Sequence, residues 1–133
     1  MIEDFIGLNS LNAKILPYAA KGSLIKCRLF RAGSLEILAV FFAKDSPSME
    51  KIKKALKLAS LMQVDKLDVE EMTGFKADFL PPISIYGVRV LVDKKLMERE
   101  KVKCIVSEEK TLEISPQEIL EANEEAEEAD LTL

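Results

Sequence analysis

The chain has 133 residues, 48% of them hydrophobic and 32% charged, which is enough for one globular domain with a single core and excludes a disordered chain. It contains no histidine, so Ser-His and Cys-His nucleophilic catalysis and histidine-ligated metal sites are excluded together. The formal net charge is −4, yet residues 1–115 carry all 19 basic residues and a net +3, whereas seven acidic residues give −7 from Pro116 onward. A mildly basic body is compatible with contact to RNA.

Cysteine usage and hydropathy indicate the compartment. Cys27 and Cys104 are too few for a disulfide or metal framework, and we expect free buried thiols, with a single bridge between them as the alternative. No apolar run approaches the ~20 residues of a membrane span, and the start Met1-Ile-Glu-Asp lacks the basic residues of a signal peptide. We therefore expect a cytoplasmic protein with no membrane partner.

The first third of the chain predicts strands. Residues 2–8 read as one or two helical turns, and residues 13–18 as a strand. Residues 24–31 and 35–43 are stronger strands, joined by a hairpin at Ala-Gly-Ser (residues 32–34). Because the run from 35 to 43 is almost continuously apolar, we expect a central strand buried on both faces.

A helix is predicted next, with Ser46 as N-cap and Pro47 in the first turn. Its lysines are predicted to form a solvated face, with an RNA-binding ridge as the alternative. The predicted core stripe has helical spacing: Met49, Ile52, Leu56, Ala59 and Met62. A short strand at residues 64–67 follows, and then Asp68 with Glu71 has the spacing of a capping box for a helical turn that ends at Gly74.

The second half predicts further strands and a last helix. Strands are expected at residues 88–92, 102–106 and 111–114, with a short helix at 94–99 for which Asp93 is the simplest N-cap. Ser115-Pro116-Gln117-Glu118 is a capping box that opens a helix to about Asn123. We predict one domain over residues 1–123 and an acidic tail at 124–133, partly helical and frayed. The fold class is α+β, a mixed, curled, barrel-like sheet with helices packed outside.

The loop between the two halves, Met72 to Gly87, is unusually apolar: M-T-G-F-K-A-D-F-L-P-P-I-S-I-Y-G. It either covers the core or walls a small pocket, and Pro81-Pro82 excludes a central strand because two N–H donors are missing. Asp78 is a lone acid there; it caps the turn, pairs with a cation or lines a pocket. Six residues are expected to bury apolar surface: Phe75, Phe79, Leu80, Ile83, Ile85 and Tyr86.

Lys26 is the strongest catalytic candidate. It lies within a predicted strand and shares one face with Arg28, whereas Cys27 points to the other face. Periodicity alone favours the solvent side for this pair. The acidic clusters lack calcium-loop spacing and no phosphate-binding glycine loop occurs, so we infer no metal and no cofactor.

The ordered set of motifs resembles the YbaK-like aminoacyl-tRNA deacylases, which include the editing domain associated with prolyl-tRNA synthetases. The resemblance runs from about Ala13 to Asn123. It is carried by the strand lysine Lys26, by Thr73-Gly74-Phe75 followed by Pro81-Pro82, by V-x-V-D ending at Asp93, and by S-P-x-x-I-L from Ser115.

The resemblance implies hydrolysis of the ester of a small mischarged amino acid, such as alanine or cysteine, on tRNA, without metal. It implies Lys26 as the catalytic residue that faces the cavity and an aromatic at the end of the first strand, matched by Tyr18. The implied partners are the tRNA acceptor end and an aminoacyl-tRNA synthetase. Substrate contacts are expected from the loop after Phe75 and from the end of the Cys104 strand: Asp78, Phe79, Leu80, Pro81, Pro82 and Ser107.

The chain also departs from the family pattern. The family usually has two glycines where this chain has Asp78 and Phe79, and a glycine near Val106-Ser107. The helix that normally precedes the lysine strand is reduced to residues 19–23. Two functions therefore stay open: a free-standing trans-editing deacylase, and a non-catalytic module that binds a small molecule, an RNA end or a synthetase. A cavity reached by Lys26 favours the enzyme, and Phe79 filling that space favours the module.

Overall fold

The computed structural model describes residues 2–8, 11–17 and 23–133. Eight strands and four α-helices occur in these residues, together with two 3-10 helices at Ala77–Phe79 and Lys94–Glu98. The strands are β1 (Ala13–Leu16), β2 (Leu24–Ala32), β3 (Leu35–Phe42), β4 (Met62–Gln63), β5 (Arg89–Asp93), β6 (Val102–Ile105), β7 (Thr111–Ile114) and β8 (Ala126–Ala129). The helices are α1 (Ile2–Leu8), α2 (Met49–Leu56), α3 (Lys66–Thr73) and α4 (Pro116–Ala122).

The strands form one mixed sheet in the order β1-β7-β6-β2-β3-β5-β8, with β4 pairing to β2 outside this path. The β2–β3 hairpin turns at Gly33, whose φ of 63° lies in the left-handed region that favours glycine. Parallel pairs join β2 to β6, β3 to β5 and β5 to β8. The predicted α+β class is confirmed; the sheet does not close, because β1 and β8 remain its two ends.

The central position of β3 explains its apolar sequence. Leu38, Val40 and Phe42 pack into one core cluster, and Ile37, Ala39 and Phe41 pack into a second cluster that includes Ile52 of α2. Successive strand residues point to opposite faces, so a strand covered on both sides must be apolar throughout. The prediction of a strand buried on both faces is confirmed.

Helix α2 begins later than predicted. Its N-cap is Ser48, whose Oγ accepts a hydrogen bond from the Lys51 backbone N–H at 3.2 Å, and not Ser46. Pro47 is held outside the helix because it forms an isolated bridge with Thr132. Both serines are good N-caps by type, and a contact distant in sequence selects between them.

The same helix also ends earlier than predicted. Lys57 adopts a left-handed conformation with φ of 56° and closes the last turn through its backbone N–H. Ala59 and Met62 therefore lie beyond the helix, and Met62 begins β4. The predicted apolar stripe ran past the end of α2 because Met62, an apolar residue at helical spacing, begins β4.

Helix α3 is also shifted relative to the prediction. Asp65, and not Asp68, is its N-cap, and its carboxylate accepts a hydrogen bond from the Leu67 N–H at 3.0 Å. Residues 64–67 thus do not form a strand. The predicted end is confirmed, because Gly74 has φ of 80° and donates its N–H to the Glu70 carbonyl.

The expectation of a frayed, partly helical tail is wrong. Residues 126–129 form β8, which pairs in parallel with β5, and Leu131 and Thr132 are buried. Asp93 stands before the 3-10 helix but does not cap it with its side chain. Its buried carboxylate accepts hydrogen bonds from the Leu131 N–H at 3.2 Å and from Thr132 Oγ at 3.0 Å. The tail is therefore part of the sheet and core.

The structure also bears on the expected burial of Tyr86 and on membrane-spanning helices. Tyr86 is 81% exposed and does not bury its ring, which meets the Phe5 ring edge-on at a centroid distance of 5.9 Å. Within residues 2–8, 11–17 and 23–133, no helix is long and apolar enough to cross a membrane.

Candidate active site

A gap along one edge of β2 opens the sheet next to Lys26. On that edge β2 pairs with β6 only at Leu24 and Ile25, and with β4 only at Phe30 and Arg31. On this edge no described strand pairs with residues 26–29, which pair only with β3 on the other edge, although the Val64 N–H reaches the Leu29 carbonyl at 3.0 Å. The strands β4 and β6 therefore diverge and leave room for a cavity.

That space is a cavity of about 300 Å³. This volume lies at the lower end of the range of about 300–1,000 Å³ that is usual for small-molecule sites. Its walls are β2, the ends of β4 and β6, α3 and the 3-10 helix after it. The residues that line it are Leu24, Ile25, Lys26, Cys27, Arg28, Leu29, Ala43, Gln63, Val64, Lys66, Val69, Ala77, Asp78, Phe79, Leu80, Cys104 and Ile105.

Two hydrogen bonds fix the loop that forms one wall. The Cys104 thiol donates to the Leu80 carbonyl at 3.4 Å, and Asn123 at the end of α4 donates its side-chain N–H to the Pro82 carbonyl at 3.1 Å. Leu80, Pro81 and Pro82 are buried beside these contacts. The two prolines remove two donors from this segment, and the Leu80 and Pro82 carbonyls accept hydrogen bonds from neighbouring elements. The loop is consequently held rigidly against the sheet.

The cavity brings four of the predicted site residues together: Lys26, Asp78, Phe79 and Leu80. Lys26 is exposed to solvent, and Phe79 is half-buried in the wall without filling the space. Pro81 and Pro82 are buried and are not among the residues that line the cavity. Ser107 lies two residues beyond the lining residue Ile105, and its Oγ accepts a hydrogen bond from the Glu109 N–H at 3.3 Å. Tyr18 and residues 19–22, where a reduced helix was expected, lie outside the described residues.

The charges on the wall are unequal. Three cationic residues are among those that line the cavity: Lys26, Arg28 and Lys66. The register of β2 places the Lys26 and Arg28 side chains on the face of Phe41, opposite to Cys27, and Arg28 stacks on the Phe41 ring with its Cζ 5.7 Å from the centroid. The only carboxylate on the described wall is Asp78, whose Oδ1 lies 3.7 Å from Lys66 Nζ. The described lining residues therefore include three bases and one acid, and this balance around the cavity favours an anionic ligand such as the phosphates of RNA.

The cavity floor contains both cysteines. Cys27 and Cys104 are buried and free, as expected. Burial raises the pKa of the Cys27 thiol well above its usual range, and the hydrogen bond with Cys104 adds to this rise. Since only a thiolate is an effective nucleophile, Cys27 acts as an apolar wall residue. Among the described residues, no group of three or more His, Cys, Asp or Glu side chains could hold a metal ion.

Lys66, Gln63 and Val64 are lining residues that the sequence did not reveal. They reach the cavity only because β4 crosses beside β2 and α3 starts directly after it. A strand of two residues carries no periodic signal, so its place beside β2 had no local signature.

Several solved structures share this fold. A crystal structure described as that of a hypothetical protein aligns with a TM-score of 0.88 at 19% identity, covering 99% of both chains. A candidate trans-editing enzyme for prolyl-tRNA synthetase aligns with a TM-score of 0.87 at 18% identity, covering 99% of this chain and 94% of the other. A scaffold from computational epitope grafting aligns with the same TM-score, identity and coverage. At these identities the likeness establishes the fold alone.

The family is established by sequence. No curated protein sequence matches the chain. The sequence model of the aminoacyl-tRNA editing domain matches residues 15–122, which includes β2, the cavity loop and α4. The match spans most of the chain and confirms the resemblance drawn from Lys26 and the ordered motifs. The chain belongs to the aminoacyl-tRNA editing domain family, a family of aminoacyl-tRNA deacylases.

Proposed function

We propose that this chain is a trans-editing deacylase that hydrolyses the ester of a small mischarged amino acid, of the alanine or cysteine class, on tRNA. The observation that carries the proposal is the open cavity of about 300 Å³ whose wall includes both Lys26 and the loop residues Asp78 to Leu80. Phe79 narrows this space without filling it, which favours a small aminoacyl group over a blocked, non-catalytic site. The reaction uses no cofactor in this proposal.

The chemistry suits the residues on the wall. Ester hydrolysis needs a water nucleophile, a group that stabilises the developing oxyanion and a space that selects the amino acid. The Lys26 ammonium supplies positive charge, either to the oxyanion or to the phosphate of the terminal nucleotide. A hydroxyl of the substrate's own ribose assists the attacking water, as the family resemblance implies.

The apolar wall selects by size. Val69, Leu80 and Phe79 offer contacts to a short side chain, and the two buried thiols add an apolar floor. A hydrophobic pocket of this kind separates substrates that differ by one methylene by about 1–3 kcal/mol. The partners in this proposal are the acceptor end of tRNA and an aminoacyl-tRNA synthetase that produces the mischarged species.

The experiment compares deacylation of a panel of mischarged tRNAs, with alanyl- and cysteinyl-tRNA(Pro) first, by the wild type, Lys26→Ala and Lys54→Ala. Lys54 is an exposed lysine of α2 that does not line the cavity, so it controls for loss of general positive charge. Removal of an oxyanion-stabilising contact typically lowers kcat by about 10²–10³. We expect a loss of this order for Lys26→Ala and little change for Lys54→Ala.

One result would contradict the role of Lys26, and another would contradict the deacylase function itself. Equal turnover by wild type and Lys26→Ala would retain the enzyme but remove Lys26 from catalysis. No turnover of any mischarged tRNA by the wild type would reject deacylation and leave the binding module as the function.

A further inference from the structure

Asp78 is the only acidic residue among the described residues that line the cavity, and the cationic residue recorded beside it is Lys66. It lies in the 3-10 helix Ala77–Phe79, and no side-chain hydrogen bond caps this helix. The loop that carries it is anchored at Leu80 and Pro82, so the position of residue 78 beside the cavity is set by the fold. A carboxylate held there serves either the loop or a ligand.

The loop makes little use of this carboxylate. Its one ion pair, to Lys66 Nζ, is long at 3.7 Å, and the two side chains are 78% and 76% exposed for Lys66 and Asp78. Exposed pairs of this length are weak, because water screens both charges and two flexible side chains must be ordered. Lys66 can therefore be replaced by a cation that arrives with a ligand.

The substrate of an editing deacylase brings such a cation. An α-amino group has a pKa of about 7.7–8.0, so much of it is protonated at neutral pH. An ammonium group that enters the cavity beside Asp78 is repelled by the nearby Lys66 ammonium. Asp78 is the only acidic residue among the described lining residues, and its carboxylate offsets this repulsion.

We infer that Asp78 binds the α-ammonium group of the aminoacyl ester and thereby selects substrates whose amino group is free. Lys66 pairs weakly with this carboxylate and gives way when the substrate enters. The inference rests on the proposed deacylase function, and it gives a role to a carboxylate at a position where the family usually has glycine.

The test uses pairs of substrates that differ only in this charge: alanyl-tRNA and N-acetyl-alanyl-tRNA. For Asp78→Asn we expect kcat/KM to fall about tenfold on the free amine, in keeping with the loss of a charge-assisted hydrogen bond, and to stay unchanged on the acetylated ester. For Lys66→Gln we expect the preference for the free amine to rise, because the competing cation is gone. Asp68→Asn, an exposed acid of α3 that does not line the cavity, should leave the preference unchanged.

Binding is measured beside turnover, so that the inference and the proposed function fail separately. The probes are a non-hydrolysable alanyl amide of 3′-amino-3′-deoxyadenosine and its N-acetyl form, titrated into each variant by calorimetry. If the wild type binds the free amine in preference and Asp78→Asn loses that preference, the inference holds even where no ester is hydrolysed. If Asp78→Asn weakens both probes equally, or neither, Asp78 has only a structural role and the inference is overturned.

Discussion

The substitution Leu131→Ala tests whether the C-terminal segment is part of the folded core. Leu131 is 0% exposed and packs with Phe41 and Ile52, whereas Leu133, two residues away, is 81% exposed. Truncation of a fully buried leucine costs about 2–5 kcal/mol, because the side chain loses its burial and leaves a cavity. The same substitution at an exposed position changes the free energy of unfolding by no more than about 0.5 kcal/mol. We therefore expect Leu131→Ala to be destabilising and Leu133→Ala to be nearly neutral.

The hydrogen bonds of this segment add to the expected loss. The Leu131 N–H and Thr132 Oγ donate to the buried Asp93 carboxylate, and Lys95 Nζ donates to Thr132 Oγ at 2.8 Å. If Leu131→Ala loosens this segment, the buried carboxylate loses partners, and each unsatisfied buried group costs about 1–3 kcal/mol. The loss in the free energy of unfolding for Leu131→Ala should consequently fall in the upper part of the range of about 2–5 kcal/mol.

Urea denaturation of the wild type and the two leucine variants measures the difference. A shift of the midpoint at constant slope reports a change in the free energy of unfolding. Equal midpoints for Leu131→Ala and Leu133→Ala would refute the docking of the tail and return it to a frayed segment.

Three further predictions follow from the caps, the charges and the cavity. Ser48→Ala should lower the free energy of unfolding by about 1 kcal/mol, because it removes the α2 N-cap, while Ser46→Ala should leave it unchanged. A larger loss for Ser46→Ala than for Ser48→Ala in thermal melts would restore Ser46 as the cap. The hydrogen bond from Lys110 lowers the pKa of Glu3 from 4.5 to about 2, so its stabilising effect is present above pH 4.5 and lost as the pH falls towards 2. Since the pair is exposed, the effect should stay below about 1 kcal/mol, and Lys110→Gln should remove it from stability curves measured between pH 2 and 6. Phe79→Ala should extend turnover to larger aminoacyl groups in the deacylation panel, and an unchanged substrate range would show that this ring does not set the size limit.

The elements that the sequence predicted well are those specified by their own residues. The continuous apolar run of β3 requires burial on both faces, and the Ala-Gly-Ser turn supplies the positive φ that its hairpin needs. Ser115 caps α4 as expected, its Oγ accepting the Glu118 N–H at 3.0 Å. Helix and strand periods are local properties, so these predictions did not depend on distant residues.

The predictions that failed depended on contacts between distant parts of the chain. Ser48 replaced Ser46 as a cap because Thr132 holds Pro47 in a bridge. An acidic segment became β8 because the edge of β5 was available to pair with it, while Leu131 buried its side chain. Local propensity does not report which strand edge is left unpaired, and burial at a sheet edge overrides a weak helical preference.

The features of the candidate site also fall into those set by neighbouring residues and those set by distant contacts. The sequence by itself determined the family, the place of Lys26 within a strand and the rigid apolar loop after Gly74, because each is written in contiguous residues. The tertiary structure alone decided that β4 and β6 diverge beside β2, that a cavity opens there, and that Lys66 meets Asp78 across its wall. These features depend on strand pairing between residues far apart in the chain, and only the folded sheet brings those residues together.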